Sequence, residues 1–150
     1  MAGVVTLIKE DHRTLEAVFK KLASGNAASK EISQLLQQVA ELLIPHSKAE
    51  EEVVYPAIKK IVPSEAEDVD DSLAEHHHVE EVLKQLLASD PEAPGADGLI
   101  AAMIGEVRHH VEEEENEILP QLVKAASNQR LSELGEQFEQ HKQAALAAMA

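Results

Sequence analysis

Apolar residues recur at helical spacing along four long stretches of the chain, with polar residues on the faces between them. Leu7, Ile8, Leu15, Val18, Phe19 and Leu22 predict a first helix over residues 6–23, with Gly25 placed to cap its C-terminus. Ile32, Leu35, Leu36, Val39, Leu42 and Leu43 predict a long second helix, and Val53, Val54, Ile58 and Ile61 resume its stripe beyond a charged insertion. Pro45 and Pro56 fall inside that helix, where a missing N–H and ring crowding predict kinks. Ser64-x-x-Glu67 has the spelling of a capping box for a third helix through Leu73, Val79, Val82, Leu83, Leu86 and Leu87. After the loop-forming run 89–95, a fourth helix spans 97–126 and a shorter one 129–148. The pattern predicts an all-α, up-down-up-down four-helix bundle with a short C-terminal fifth helix, as one domain over 1–150.

A second pattern overlies the first. Asp11-His12, His46-x-x-x-Glu50-Glu51 and Tyr55-Pro56 return 64 residues later as Glu75-His76, His110-x-x-x-Glu114-Glu115 and Leu119-Pro120. The offset also holds where there is no metal chemistry: Glu16 falls on Glu80, Val18 on Val82, Lys20 on Lys84 and Leu22 on Leu86. Residues 6–126 are therefore an internal duplication of a helical pair.

Positions i and i+4 share one helix face, so His46 with Glu50 and His110 with Glu114 each present a nitrogen and a carboxylate to one point. His12 and His76 add a third arm to each half. With eight His and 22 Glu in the chain, one such pair would mean little. Two at a single offset, on faces that should be apolar, have no account in core packing. Four imidazoles and two carboxylates suit iron or manganese better than Mg²⁺ or Ca²⁺, and Glu50 and Glu114 could bridge two ions. Glu51 and Glu115 could turn inward as additional ligands or supports of the imidazoles, although such acidic runs ordinarily form a solvated face, while Glu16 and Glu80, four residues after His12 and His76, come within reach of the ions or of the imidazoles. Tyr55 aligns with Leu119, which argues for packing, yet a phenol so near the ligands could ligate or take part in redox chemistry. His77, His78 and His109 point elsewhere around their helices, and His141 stands outside the repeat. Glu75-x-x-His78 and Glu106-x-x-His109 match the spelling of ferritin-like di-iron ligands, but lie on successive helices without counterparts in the first half.

Composition narrows the chemistry. A formal charge of -15 argues against nucleic acid and anionic membranes. The absence of cysteine excludes thiolate sites, iron–sulfur clusters and disulfides. The N-terminal residues lack the pattern of a signal segment and no apolar run is long enough to span a bilayer, so a cytoplasmic location is expected.

Together these motifs resemble the hemerythrin-like, or HHE cation-binding, family over about residues 6–126. The resemblance implies a four-helix bundle holding two iron ions, carboxylate-bridged and also oxo- or hydroxo-bridged, with ligand roles for His12, His46, Glu50, His76, His110 and Glu114. It also implies a departure. The oxygen-carrying members have a further His one turn after the first on the third helix, where this chain has Glu80. An oxygen group such as Glu80, Glu51 or Tyr55, or water, would then complete the set. Anionic oxygen ligands favour the ferric state, which suits peroxide disproportionation better than reversible O₂ carriage. Catalase-like turnover of H₂O₂, with Tyr55 and carboxylates managing protons, is the leading expectation. Binding or sensing of O₂ or NO without turnover, and iron storage, are the alternatives.

Overall fold

The computed structural model describes residues 3–150, and every element among them is helical. The helices are α1 (Val4–Ala23), α2 (Ser29–Ala49), α3 (Tyr55–Ile61), α4 (Ala66–Ala88), α5 (Ala96–Glu113), α6 (Leu119–Ala125) and α7 (Asn128–Ala148). α2 and α3 are two parts of one rod joined by a π-helical turn, Glu50–Val54, and α5 and α6 are joined likewise by Glu114–Ile118. Four rods thus form the bundle, and α7 packs along α1 and α2 as a fifth.

Local chemistry sets most boundaries. Gly25 takes φ 74°, the left-handed conformation that closes α1. Ser127 caps α7 by accepting a hydrogen bond from the Arg130 N–H at 3.1 Å. The expected capping box at Ser64 does not form: Pro63–Glu65 makes a separate 3₁₀ turn, and α4 begins after it at Ala66 without a side-chain cap.

The prolines also act differently from expectation. α2 runs helically through Pro45, and the change in winding comes just before Pro56, with its duplicate just before Pro120. Proline offers no N–H and crowds the preceding turn, and a wider i to i+5 turn relieves that crowding. The Tyr55 N–H bonds the Glu50 carbonyl and the Leu119 N–H bonds that of Glu114. The extra residue has a consequence for orientation. In an unbroken α-helix Tyr55 would lie about 140° around from Glu50, whereas one added residue per turn brings it back to about 40°.

The core falls into two apolar clusters. One joins Leu15, Phe19, Leu36, Val39, Leu83, Leu86, Met103 and Val107 near the α1–α2 and α4–α5 loops. The other, the lower cluster, joins Val4, Ile8, Val54, Ile58, Val69, Leu119, Leu122, Leu134 and Phe138 at the opposite end. Each rod passes from one cluster to the other through one or two polar residues: His12, His46 with Glu50, His76, and His110 with Glu114. These side chains are buried, so a single polar layer crosses an otherwise apolar interior.

Candidate metal centre

The polar layer is organised by the duplication. Two buried groups offer ligand atoms within 4.8 Å of one another: His12, His46 and Glu114 in one, His76, His110 and Glu50 in the other. Each combines two histidines from one half of the chain with the glutamate of the other. Glu114 spans the layer, with Oε1 3.4 Å from His12 Nε2 and Oε2 3.3 Å from His110 Nε2. Glu50 Oε1 lies 3.1 Å from His46 Nε2 and 3.4 Å from His76 Nε2.

Every imidazole is oriented from behind by a carboxylate. His12 Nδ1 is 2.6 Å from Glu115, His46 Nδ1 2.8 Å from Asp11, His76 Nδ1 3.1 Å from Glu51 and His110 Nδ1 3.0 Å from Glu75. These pairs obey the 64-residue offset: Asp11–His46 maps onto Glu75–His110, and Glu51–His76 onto Glu115–His12. With Nδ1–H donating outward, each neutral ring turns the lone pair of Nε2 inward, the arrangement carboxylate–imidazole pairs impose on metal ligands.

The inward atoms pass a test of fit to a cation. His76 Nε2 and His110 Nε2 are 3.1 Å apart, and Glu50 Oε2 and Glu114 Oε1, both fully buried, accept a hydrogen bond from no described residue. Adjacent ligands about 2.1 Å from one ion are themselves about 3 Å apart, so this spacing is that of a shared coordination shell. Burying such acceptors without a positive partner would cost several kcal/mol. Without a metal, protons take that role. Burial opposes charge on His46, but the charge of Glu50, the Asp11 hydrogen bond and Glu114 raise its pKa to about 10. His110 is likewise raised to about 9 against burial by Glu114, Glu50 and Glu75. His76 is raised by Glu50 and Glu51. Burial also opposes ionisation of Glu114, yet His110 and His12 hold it well below the usual carboxylate range.

Tyr55 breaks the symmetry. Its ring is packed with the lower cluster, as is its counterpart Leu119, but the π turn aims its hydroxyl into the layer. The hydroxyl donates to Glu114 Oε2 at 2.8 Å and lies 3.2 Å from His76 Nε2 and 3.4 Å from His110 Nε2. Burial, Glu114 and Glu50 push the phenol well above its usual pKa, so it keeps its proton.

The other candidates take distinct places. Glu51 and Glu115 orient imidazoles from the partly exposed rim. Glu16 is outside the layer, in a two-oxygen ion pair with Arg108. Glu80 lines the cavity beside the layer and pairs with Lys84 at 3.6 Å. His77, His78 and His109 are exposed and His141 is half-buried, and they make ion-pair contacts with Glu51, Glu106, Glu113 and Glu52 respectively. The sequence did not single out Lys142, and showed Phe138 only as one position on the stripe Leu131, Leu134, Phe138 and Leu146 that would cap the bundle. From α7, the Lys142 ammonium sits 2.9 Å from Asp11 Oδ1, and Phe138 packs edge-on to His46. Only their place on the apolar stripe of the last helix hinted that they face the bundle. A narrow cavity walled by Leu15, Leu43, Val79, Val107 and Val111 leads to the histidines.

Comparison with known proteins agrees with this geometry. Residues 3–122 match the family described as the hemerythrin HHE cation binding domain. The chain is 25% identical over 140 residues to a DNA nickase of Nostoc, covering 93% of this chain but only 39% of that protein. It is 25% identical over 146 residues to an uncharacterized hemerythrin-like protein of Schizosaccharomyces pombe, covering 95% of this chain and 70% of the other. A crystal structure of a hemerythrin HHE cation binding domain-containing protein from Mycobacterium kansasii superposes with a TM-score of 0.83 at 22% identity, covering 99% of this chain and 90% of that one.

Proposed function

The chain belongs to the hemerythrin HHE cation-binding family, a non-haem metal-binding fold, and from that premise we propose that its polar layer holds two iron ions and disproportionates hydrogen peroxide. His12, His46 and Glu114 would hold one ion, His76, His110 and Glu50 the other, with Glu114 reaching both and Tyr55 standing beside the second group. Manganese suits the same donors. The balance is two H₂O₂ giving two H₂O and one O₂, and the bound pair would supply two electrons to the first peroxide and take two from the second.

The single observation that carries this reading is the position of the Tyr55 hydroxyl. It brings a protonated oxygen to within 3.4 Å of two ring nitrogens and into a hydrogen bond with Glu114. Reducing a peroxide O–O bond to water consumes protons, and oxidising the next peroxide returns them. Tyr55 and Glu114 are a donor–acceptor pair placed to hold that proton between the half-reactions. The two anionic carboxylates, Glu50 and Glu114, favour the ferric state over what imidazoles alone would give, which suits two-electron cycling over reversible O₂ carriage. The apolar side chains of the cavity wall would favour entry of a small neutral solute over an ion.

The name DNA nickase belongs to a protein of which this chain spans 39%, and a formal charge of -15 opposes binding to a phosphate backbone. No helix is long and apolar enough to cross a membrane among the described residues. The decisive experiment is O₂ evolution from H₂O₂ by iron-loaded protein, with metal-free protein and Glu50→Gln as controls. Sustained turnover absent from both controls supports the reading. Two bound irons without turnover would overturn it in favour of O₂ or NO binding.

A further inference from the structure

A second histidine–carboxylate group lies on the outer surface of the bundle, across the seam between α4 and α5. The antiparallel run of these helices sets Glu75-x-x-His78 against Glu106-x-x-His109: His78 Nδ1 is 2.8 Å from Glu106, and Glu75 meets His109 one turn away. His109-x-x-x-Glu113 repeats the chelating spelling of His110-x-x-x-Glu114 one residue earlier, and so faces outward. Its Nε2 and carboxylate are 3.1 Å apart, and one ligand atom from each of Glu75, His109 and Glu113 falls within 4.8 Å of the others.

The duplication says what belongs there. Glu75 is the counterpart of Asp11, and both orient a buried histidine. On Asp11 the second oxygen meets the Lys142 ammonium at 2.9 Å, delivered by α7. The counterparts of His109 and Glu113 are Pro45 and Ala49, both buried in the half against which α7 packs. Beyond Glu75 there is no equivalent helix: His109 and Glu113 stand 65% and 44% exposed. A cation therefore accompanies the orienting carboxylate in one half, whereas in the other His109 and Glu113 each bring one donor atom within 4.8 Å of the orienting carboxylate.

We propose that Glu75, His109 and Glu113 form a third, solvent-facing site for a divalent transition-metal ion. One imidazole and two carboxylates select such an ion over Mg²⁺ or Ca²⁺, and three protein donors leave the remaining positions to water. The ion would sit against Glu75 as the ammonium sits against Asp11, on a protein whose charge of -15 concentrates cations at its surface. Glu75 touches the buried groups only as the acceptor behind His110, and none of the three is a member of either group, so the site stands whether or not two irons fill the interior.

Protein carrying its buried iron is titrated with Mn²⁺, following loss of the free-ion electron paramagnetic resonance signal, with iron content measured in parallel. The wild type is expected to take up one tightly held Mn²⁺ per chain, and His109→Ala/Glu113→Gln to lose it with iron content unchanged. A His141→Ala/Glu112→Gln variant, which loses the same side-chain types elsewhere, should retain it. Equal uptake by all three proteins, or none by the wild type, overturns the proposal. An iron content other than two instead counts against the buried di-iron reading, and leaves the comparison between variants intact.

Discussion

His76 and His110 point their Nε2 atoms at each other across 3.1 Å, while the Nδ1 of each is tied to a carboxylate, Glu51 and Glu75. Something positive must lie between two such lone pairs. In metal-free protein it is a proton, since His110 is held at about 9 and His76 is also raised, while in the other group His46 is held at about 10. Metal loading near neutral pH should therefore release protons. Calorimetric titration in buffers of differing ionisation enthalpy measures the number, and zero release would show that the rings are already neutral.

The same groups set how stability of the metal-free protein responds to pH. Their folded pKa values lie above the ordinary 6.5, so the folded state binds more protons than the unfolded state between there and about 9 to 10. The stabilisation is complete below about 6.5 and is lost as pH rises through about 9 to 10. Urea midpoints of metal-free protein should fall across that window. In loaded protein the ions replace those protons, so acid, not alkali, should weaken it.

Tyr55→Phe removes one oxygen from a packed site. Glu114 loses a buried donor, which costs about 1–3 kcal/mol of metal-free stability. Peroxide turnover should drop by about 100-fold or more if the hydroxyl handles the proton. Unchanged turnover in a folded, iron-loaded variant would remove Tyr55 from the chemistry.

Lys142→Met cuts the contact between α7 and Asp11 and leaves every ring nitrogen in place. Loss of the carboxylate directly behind a metal ligand weakens binding by about 10–100-fold, and Lys142 stands one step further out, behind Asp11, so its loss should cost about 10-fold or less. The effect should fall on the ion held by His12, His46 and Glu114 and spare the other, so a competitive metal titration should change from near-equal steps to clearly separated ones.

Phe138→Ala empties a fully buried position against His46 and the lower cluster. Thermal or urea denaturation should show a loss of about 3–5 kcal/mol. A loss under 1 kcal/mol, on the same scale, would mean that α7 is not integral to the bundle.

Much of this arrangement is visible in the chain itself. The heptad-like spacing of Ile8, His12, Leu15 and Phe19, or of Val69, His76, Val79 and Leu83, puts each imidazole on a core stripe, and the repeat then selects it from eight. The orientation of Tyr55 was not visible in the same way. It depends on a π turn whose only trace is a proline six residues after each of Glu50 and Glu114, and proline alone suggests a kink. Glu51 and Glu115 were candidates from the sequence, but the pairing of Asp11 and Glu75 was hidden for a different reason. Asp11 and Glu75 precede the histidines His12 and His76 in sequence but serve His46 and His110, because neighbours on a helix point about 100° apart and so address different rods. Lys142 lies beyond the repeat, where no second copy existed to mark it.

Because each ligand group takes two imidazoles from one half of the chain and its carboxylate from the other, a single helical hairpin owns no complete site. His12 and Glu115, which touch, are separated by 103 positions. That is the geometry of a twofold dimer whose subunits have been spliced head to tail, with the centre as its isologous interface. In a protein built from two free hairpins, capturing the ions and bringing the partners together would have been one event. In the joined chain the encounter is intramolecular, and the two copies need not match: Tyr55 stands opposite Leu119, and α7 packs on the first copy.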